Sequence, residues 1–102
     1  MGILYITEYA GLAPAGAPGG WGQVPQDPPL AEQKVTYGSS TQSAAFNAKT
    51  RMVRIHTDSI CSIEFGTNPT ATTSTARMVA GQTEYRGVPV GQSYMVAAIT
   101  NT

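Results

Sequence analysis

Charge is what this chain has least of. Of its 102 residues, 12% are Asp, Glu, Lys or Arg, against ~25% in an average globular protein. A monomer surface is ordinarily coated with ~25–35% charged residues. The shortage points either to a surface partly covered by other chains or to a polar β domain coated with Thr and Ser. Six basic residues (Lys34, Lys49, Arg51, Arg54, Arg77, Arg86) balance six acidic ones, and no two of them adjoin. That excludes the basic stripe of a nucleic-acid-binding domain, so no nucleic acid is expected as a partner. The single cysteine, Cys61, rules out an intrachain disulfide framework and permits a reducing compartment. No run approaches the ~20 apolar residues of a membrane-spanning helix. Met1 to Ala10 lacks the basic start and long apolar centre of a secretion signal. A soluble chain made in a cytoplasm, with no membrane partner, is the expectation.

Catalytic raw material is equally scarce. The one histidine, His56, falls on the polar face of a strand, where a solvated surface residue is the ordinary reading. A metal site needs three or four convergent ligands, and one His with one Cys cannot supply them. Cys61 falls on an apolar strand face and reads as a small buried hydrophobe. A Cys–His catalytic pair needs both groups at one open site, and the alternation puts these two on opposite faces. Asp27, Glu32, Asp58, Glu64 and Glu84 show no dyad spacing. Gly81, Gly87 and Gly91 sit in no strand–loop–helix unit that could cradle a phosphate. No cofactor, metal or catalytic residue is expected, and the chain is not read as an enzyme.

What is present is β pattern. At 102 residues there is material for one core. Met52 to Thr57 alternates, with Val53, Ile55 and Thr57 on one face and Arg54 and His56 on the other. After a turn at Asp58-Ser59 the alternation resumes with Cys61, Ile63 and Phe65, and the two runs read as the best hairpin of the sequence. Short strand signals recur at Lys34–Tyr37, Arg77–Val79, Thr83–Arg86 and Tyr94–Ile99, and no window sustains a helical period. The fold class expected is all-β: an antiparallel β-sandwich or jelly-roll. Gly66 to Thr75 reads as a polar strand connection rather than a binding loop.

The N-terminal third differs. Ile3 to Tyr9 is β-branched and aromatic and reads as a strand or extended arm. From Gly11 to Pro29 there follow five Gly and five Pro in nineteen residues, a composition that disfavours ladders. The expected division is an N-terminal strand and Gly/Pro-rich arm over 1–32 and a β-sandwich body over 33–102. Trp21 stands among small residues and must dock, either on its own body or on another subunit. An arm that laces subunits together would use Trp21 as its apolar anchor, Tyr5 and Tyr9 on a strand free to join a neighbour's sheet edge, and Pro25, Pro28 and Pro29 to hold the chain extended.

The run from Val53 to Thr72, with Phe65-Gly66 and Asn68-Pro69-Thr70-Ala71, followed by Met78-Val79-Ala80-Gly81 and a closing strand at Tyr94–Ile99, resembles small head proteins of tailed bacteriophages and prophages. The similarity covers the C-terminal half to two-thirds. It implies a minor capsid, cement or decoration protein of β-sandwich or jelly-roll type that sits on the virion as a homotrimer and binds the major capsid protein. The competing reading from composition is a small β-sandwich module that binds carbohydrate or a receptor. That reading wants a platform of two or three exposed rings, and in the sequence the tyrosines are dispersed.

Overall fold

In a computed structural model of the chain, residues 2–10, 12–15, 22–25 and 28–101 are described, the segments 12–15 and 22–25 by backbone alone. The described residues are all-β, built from ten strands: β1 (Gly2–Tyr9), β2 (Leu12–Ala15), β3 (Gly22–Pro25), β4 (Ala31–Tyr37), β5 (Thr41–Gln42), β6 (Met52–Thr57), β7 (Cys61–Gly66), β8 (Ala76–Met78), β9 (Thr83–Gly87) and β10 (Met95–Thr100). Eight of them form two four-stranded antiparallel sheets. Sheet 1 has the order β4-β1-β6-β9 and sheet 2 the order β5-β10-β7-β8. β2 and β3 pair with each other as a separate ribbon.

The sheets face one another across a single apolar core. Sheet 1 contributes Leu4, Ile6, Val35, Tyr37, Val53 and Ile55, and sheet 2 contributes Cys61, Ile63, Met78, Val96 and Ala98. Every second residue of each strand points inward, which is why the period-2 pattern of β6 survives as strict burial of Val53, Ile55 and Thr57,. Phe46 and Phe65 meet as tilted rings with centroids 6.3 Å apart. Tyr37 is fully buried. Its hydroxyl lies 2.6 Å from Thr57 Oγ1 and donates to the Ser59 carbonyl at 3.0 Å. Gly2 is required beside it: a Cβ there would fall on the Tyr37 hydroxyl and within 2.9 Å of Ser59 Cβ.

Three expectations change. The runs read as one hairpin, β6 and β7, lie in different sheets: β6 pairs with β1 and β9, and β7 with β10 and β8. Alternation reports which face of a strand is buried, and two strands that face one another across a core share that signature with two that pair side by side. The strand at Ile3–Tyr9 is no free arm. β1 is an interior strand held by β4 on one side and β6 on the other, so both its edges are used within the chain. The Gly/Pro segment does hold a ladder, from Leu12↔Pro25 to Ala15↔Gly22. Pro14 and Pro25 stand on rungs two apart, 14↔23 and 25↔12, so both can occupy the kind of rung that needs no N–H.

Candidate interaction surface

A sandwich has two outer faces and a rim of strand edges, and the chain treats them differently. The outer face of sheet 2 is covered by the Gly66–Thr75 connection. Gln42 Nε2 donates to Asn68 Oδ1 at 2.9 Å and to the Pro69 carbonyl at 2.8 Å, and Ser40 Oγ accepts from Ala71 N at 2.9 Å. Asn101 Nδ2 donates to Ser62 Oγ at 2.7 Å and to the Thr73 carbonyl at 3.3 Å. Beneath this cover Ser62 and Ala97 are fully buried although their strand neighbours are the ones that point into the core. The loop is a structural flap, and its Thr and Ser side chains tie it to itself through Thr72 and Thr75.

Sheet 1 keeps its outer face. The register sets two rows across it, Lys34–Tyr5–His56–Thr83 and Glu32–Thr7–Arg54–Tyr85. Tyr5 is 42% and Tyr85 53% exposed. Tyr5 and His56 are neighbours, with ring centroids 6.3 Å apart and planes at 46°. His56 Nδ1 shares a 2.7 Å hydrogen bond with Thr83 Oγ1, which fixes the ring on the surface. Cys61 lies on β7 of sheet 2 and points into the core, so the two residues are separated by sheet 1 itself and not by the two faces of one hairpin. Among the described residues no cluster of three or more His, Cys, Asp or Glu could hold a metal ion.

The edges differ as well. β5 and β8 are two and three residues long. On β9 the inward-pointing positions are charged. Arg86 Nη2 lies 2.6 Å from Glu84 Oε1, Gln82 Nε2 donates to the same carboxylate, and the Arg86 guanidinium sits 5.8 Å from the centre of the Phe65 ring. Short strands and inward charges are two of the ways proteins blunt an edge against stray pairing. β4 has seven residues and neither device, and its edge is guarded only by the outer-face charges of Glu32 and Lys34,.

One buried carboxylate escaped the sequence reading. Glu8, 2% exposed, accepts from Asn47 N at 2.7 Å, Thr50 Oγ1 at 2.8 Å and Gln33 Nε2 at 3.3 Å. It pins the segment between β5 and β6 to sheet 1. Its position at the inward-facing end of β1 carried the signal, because an acid in phase with Leu4 and Ile6 has to find donors. Burial pushes the Tyr37 hydroxyl up to about 12, against a smaller opposing effect of the Thr57 hydrogen bond.

The proposed contact residues scatter. Tyr5 is on the open face. Tyr9 is 8% exposed, which leaves almost none of its ring for another chain. Pro25 ends β3, Pro28 is exposed and Pro29 half-buried before β4. Trp21 lies outside the described residues. Tyr85, far from Tyr5 in the chain, joins it on the open face through the β6–β9 register. Comparison with family profiles, with characterised proteins and with solved structures returned no match.

Proposed function

We propose that this chain is a bacteriophage decoration or cement protein, a minor capsid subunit that binds the major capsid protein and stabilises the shell. One observation carries the reading. The β2–β3 ribbon has a ladder only with itself among the described residues, and an isolated two-stranded ribbon is marginal in water. A ribbon that shares no ladder with either sheet is the kind of element a surface met on assembly can stabilise,. The scarcity of charge and the resemblance of the C-terminal part to phage head proteins point the same way, and the homotrimer on the virion surface belongs to this proposal.

The strand order supports the jelly-roll part of it. From β4 onward the chain visits sheets 1, 2, 1, 2, 2, 1, 2, and β1 occupies the place in sheet 1 between β4 and β6. If β1 is counted after β10, this is the path of an eight-stranded jelly-roll, an architecture used by viral shells and by lectins alike. The two strand ends that this counting joins, at Thr100 and Gly2, are close. Gly2 pairs with Tyr37, and Thr100 N donates to the Gly38 carbonyl at 3.1 Å.

The test is binding of the full chain to shells assembled from the phage's major capsid protein. Trp21→Ala is expected to weaken it by about 2 kcal/mol or more with the melting of the free chain unchanged. Unaltered binding on removal of Trp21 and the ribbon would dismiss the lacing role. A second reading, carbohydrate or receptor binding, gains from the grouping of Tyr5, His56 and Tyr85 on one open face, since rings on a flat surface can stack on sugars. Retention on immobilised glycans, lost in Tyr5→Ala and Tyr85→Ala, would favour it over the shell.

A further inference from the structure

We propose that the free edge of β4 is a self-association site, at which two copies pair their β4 strands antiparallel about a two-fold axis through Gln33, joined by reciprocal Glu32–Lys34 contacts. The proposal concerns the free chain in solution and does not rest on the shell reading, whose homotrimer forms on the virion. It begins with the direction of the backbone groups. Glu8 O accepts from Leu30 N, and Ile3 O accepts from Asp58 N on the other side of β1. The even residues of β1 therefore turn their N–H and C=O toward β4, and the odd ones toward β6. Their β4 partners Ala31, Gln33, Val35 and Tyr37 face β1 in turn. Glu32, Lys34 and Thr36 turn theirs off the sheet. All three are exposed, and among the described residues no hydrogen bond from outside the sheet reaches their backbone.

An open edge with outward donors and acceptors at three of its seven residues is the feature other edges of this sandwich suppress. It ends a sheet whose opposite edge carries inward charges. Two open hollows flank it, of about 330 Å³ toward Ala44 and Asn47 and about 250 Å³ beside Tyr5, and Glu32 and Gln33 border both. They give the side chains of an added strand somewhere to lie.

Charge selects the occupant and the register. Glu32 and Lys34 share the outer face, and among the described residues neither is in an ion pair. Backbone parity allows even residues of one copy to oppose even residues of the other. A two-fold at Lys34 sets Lys against Lys, and one at Glu32 sets Glu against Glu. With the axis at Gln33, Glu32 opposes the second copy's Lys34 and Lys34 its Glu32, so both cross-strand pairs are of opposite sign. A symmetric contact of this isologous kind closes on itself and extends sheet 1 from four strands to eight.

Sedimentation and native mass spectrometry of the full chain test it. The expected species is a dimer of twice 10.7 kDa. Glu32→Lys and Lys34→Glu should each weaken association by at least about tenfold, since each sets two like-charged pairs across the axis. An equimolar mixture of the two variants should dimerise again, and so should the double variant. Lys34→Pro, which removes an outward N–H, should leave a folded monomer. A monomeric wild type, an oligomer indifferent to both reversals, or a mixture of the two variants that stays monomeric would overturn the proposal. The readout is solution mass and involves no shell, so its failure is separate from failure of the shell reading.

Discussion

The outer faces of the two sheets show the same alternation put to different ends. On sheet 2 the outward residues at the centre are small, Ser62 and Ala97, and the chain's own loop lies on them, accepting hydrogen bonds from Gln42 and Asn101 and donating one to Ser40. On sheet 1 they are long, Tyr5, Arg54, His56 and Tyr85, and Tyr5 and Tyr85 stay exposed. Small side chains let backbone approach closely and be held there. Large ones keep a covering loop away and present area instead. A sandwich this short in charge finishes one face internally and leaves the other, with the β4 edge beside it, as the surface on which a partner can still gain contact.

That contrast can be broken at several points. The largest effect is expected at the anchor on the inner side of sheet 1: Glu8→Ala removes the acceptor of three hydrogen bonds and should cost about 3 kcal/mol in denaturant unfolding. A loss below about 1 kcal/mol would mean the segment beyond β5 is held by something else. Tyr37 comes next, through pH. Its ionisation is raised from 10.0 to about 12 in the folded chain, so the native state holds the proton longer than the unfolded chain does. The stabilisation is complete below pH 10 and is lost as pH rises to about 12, by roughly 2–3 kcal/mol in all. Melting followed over that range should fall in the wild type. Its slope should shrink in Tyr37→Phe, and an equal slope would remove Tyr37 as the cause.

On the covered face, Ala97→Leu should cost about 2 kcal/mol by forcing the loop off sheet 2, with amide exchange quickening in Thr67–Thr75. Unchanged exchange there would show the flap is not packed on Ala97. The smallest effect is expected on the open face. Tyr5→Ala and Tyr85→Ala should each move stability by less than about 0.5 kcal/mol, and any change they cause should be in binding. A large loss of stability from either would erase the distinction between the two faces.

The sequence makes the all-β class legible, along with the strands at Met52–Thr57 and Cys61–Phe65 and the outward His56 and inward Cys61, because each follows from the period of two. Partnership is a different kind of fact. β6 and β7 are adjacent in sequence and end in different sheets, since Asp58 to Ile60 carry the chain from one sheet to the other at the rim and nothing in alternation marks a crossing. Tyr5 and Tyr85 are brought to one face by a strand, β6, that lies between them in the sheet and far from either in the chain. The ribbon was hidden by composition: Pro argues against a ladder on average, and it is the rung that decides. Glu8 was readable in phase with Leu4 and Ile6, while its donors, Asn47 and Thr50, are contributed from about forty residues away.

The position of β10 bears on how the molecule comes into being. It is the last strand of the sandwich to leave the ribosome, yet it lies inside sheet 2, between β5 and β7. Until Met95–Thr100 arrive, β5 has no neighbour and β7 has only the three residues of β8. β1, made first, waits for β6 to complete its second ladder. Sheet 2 therefore cannot be completed until β10 is made, and the core it shares with sheet 1 closes in one late event. Such long-range closure is slow, on the order of milliseconds to seconds. It leaves the unfinished strands exposed to one another throughout translation, when the shortage of charge offers them little protection.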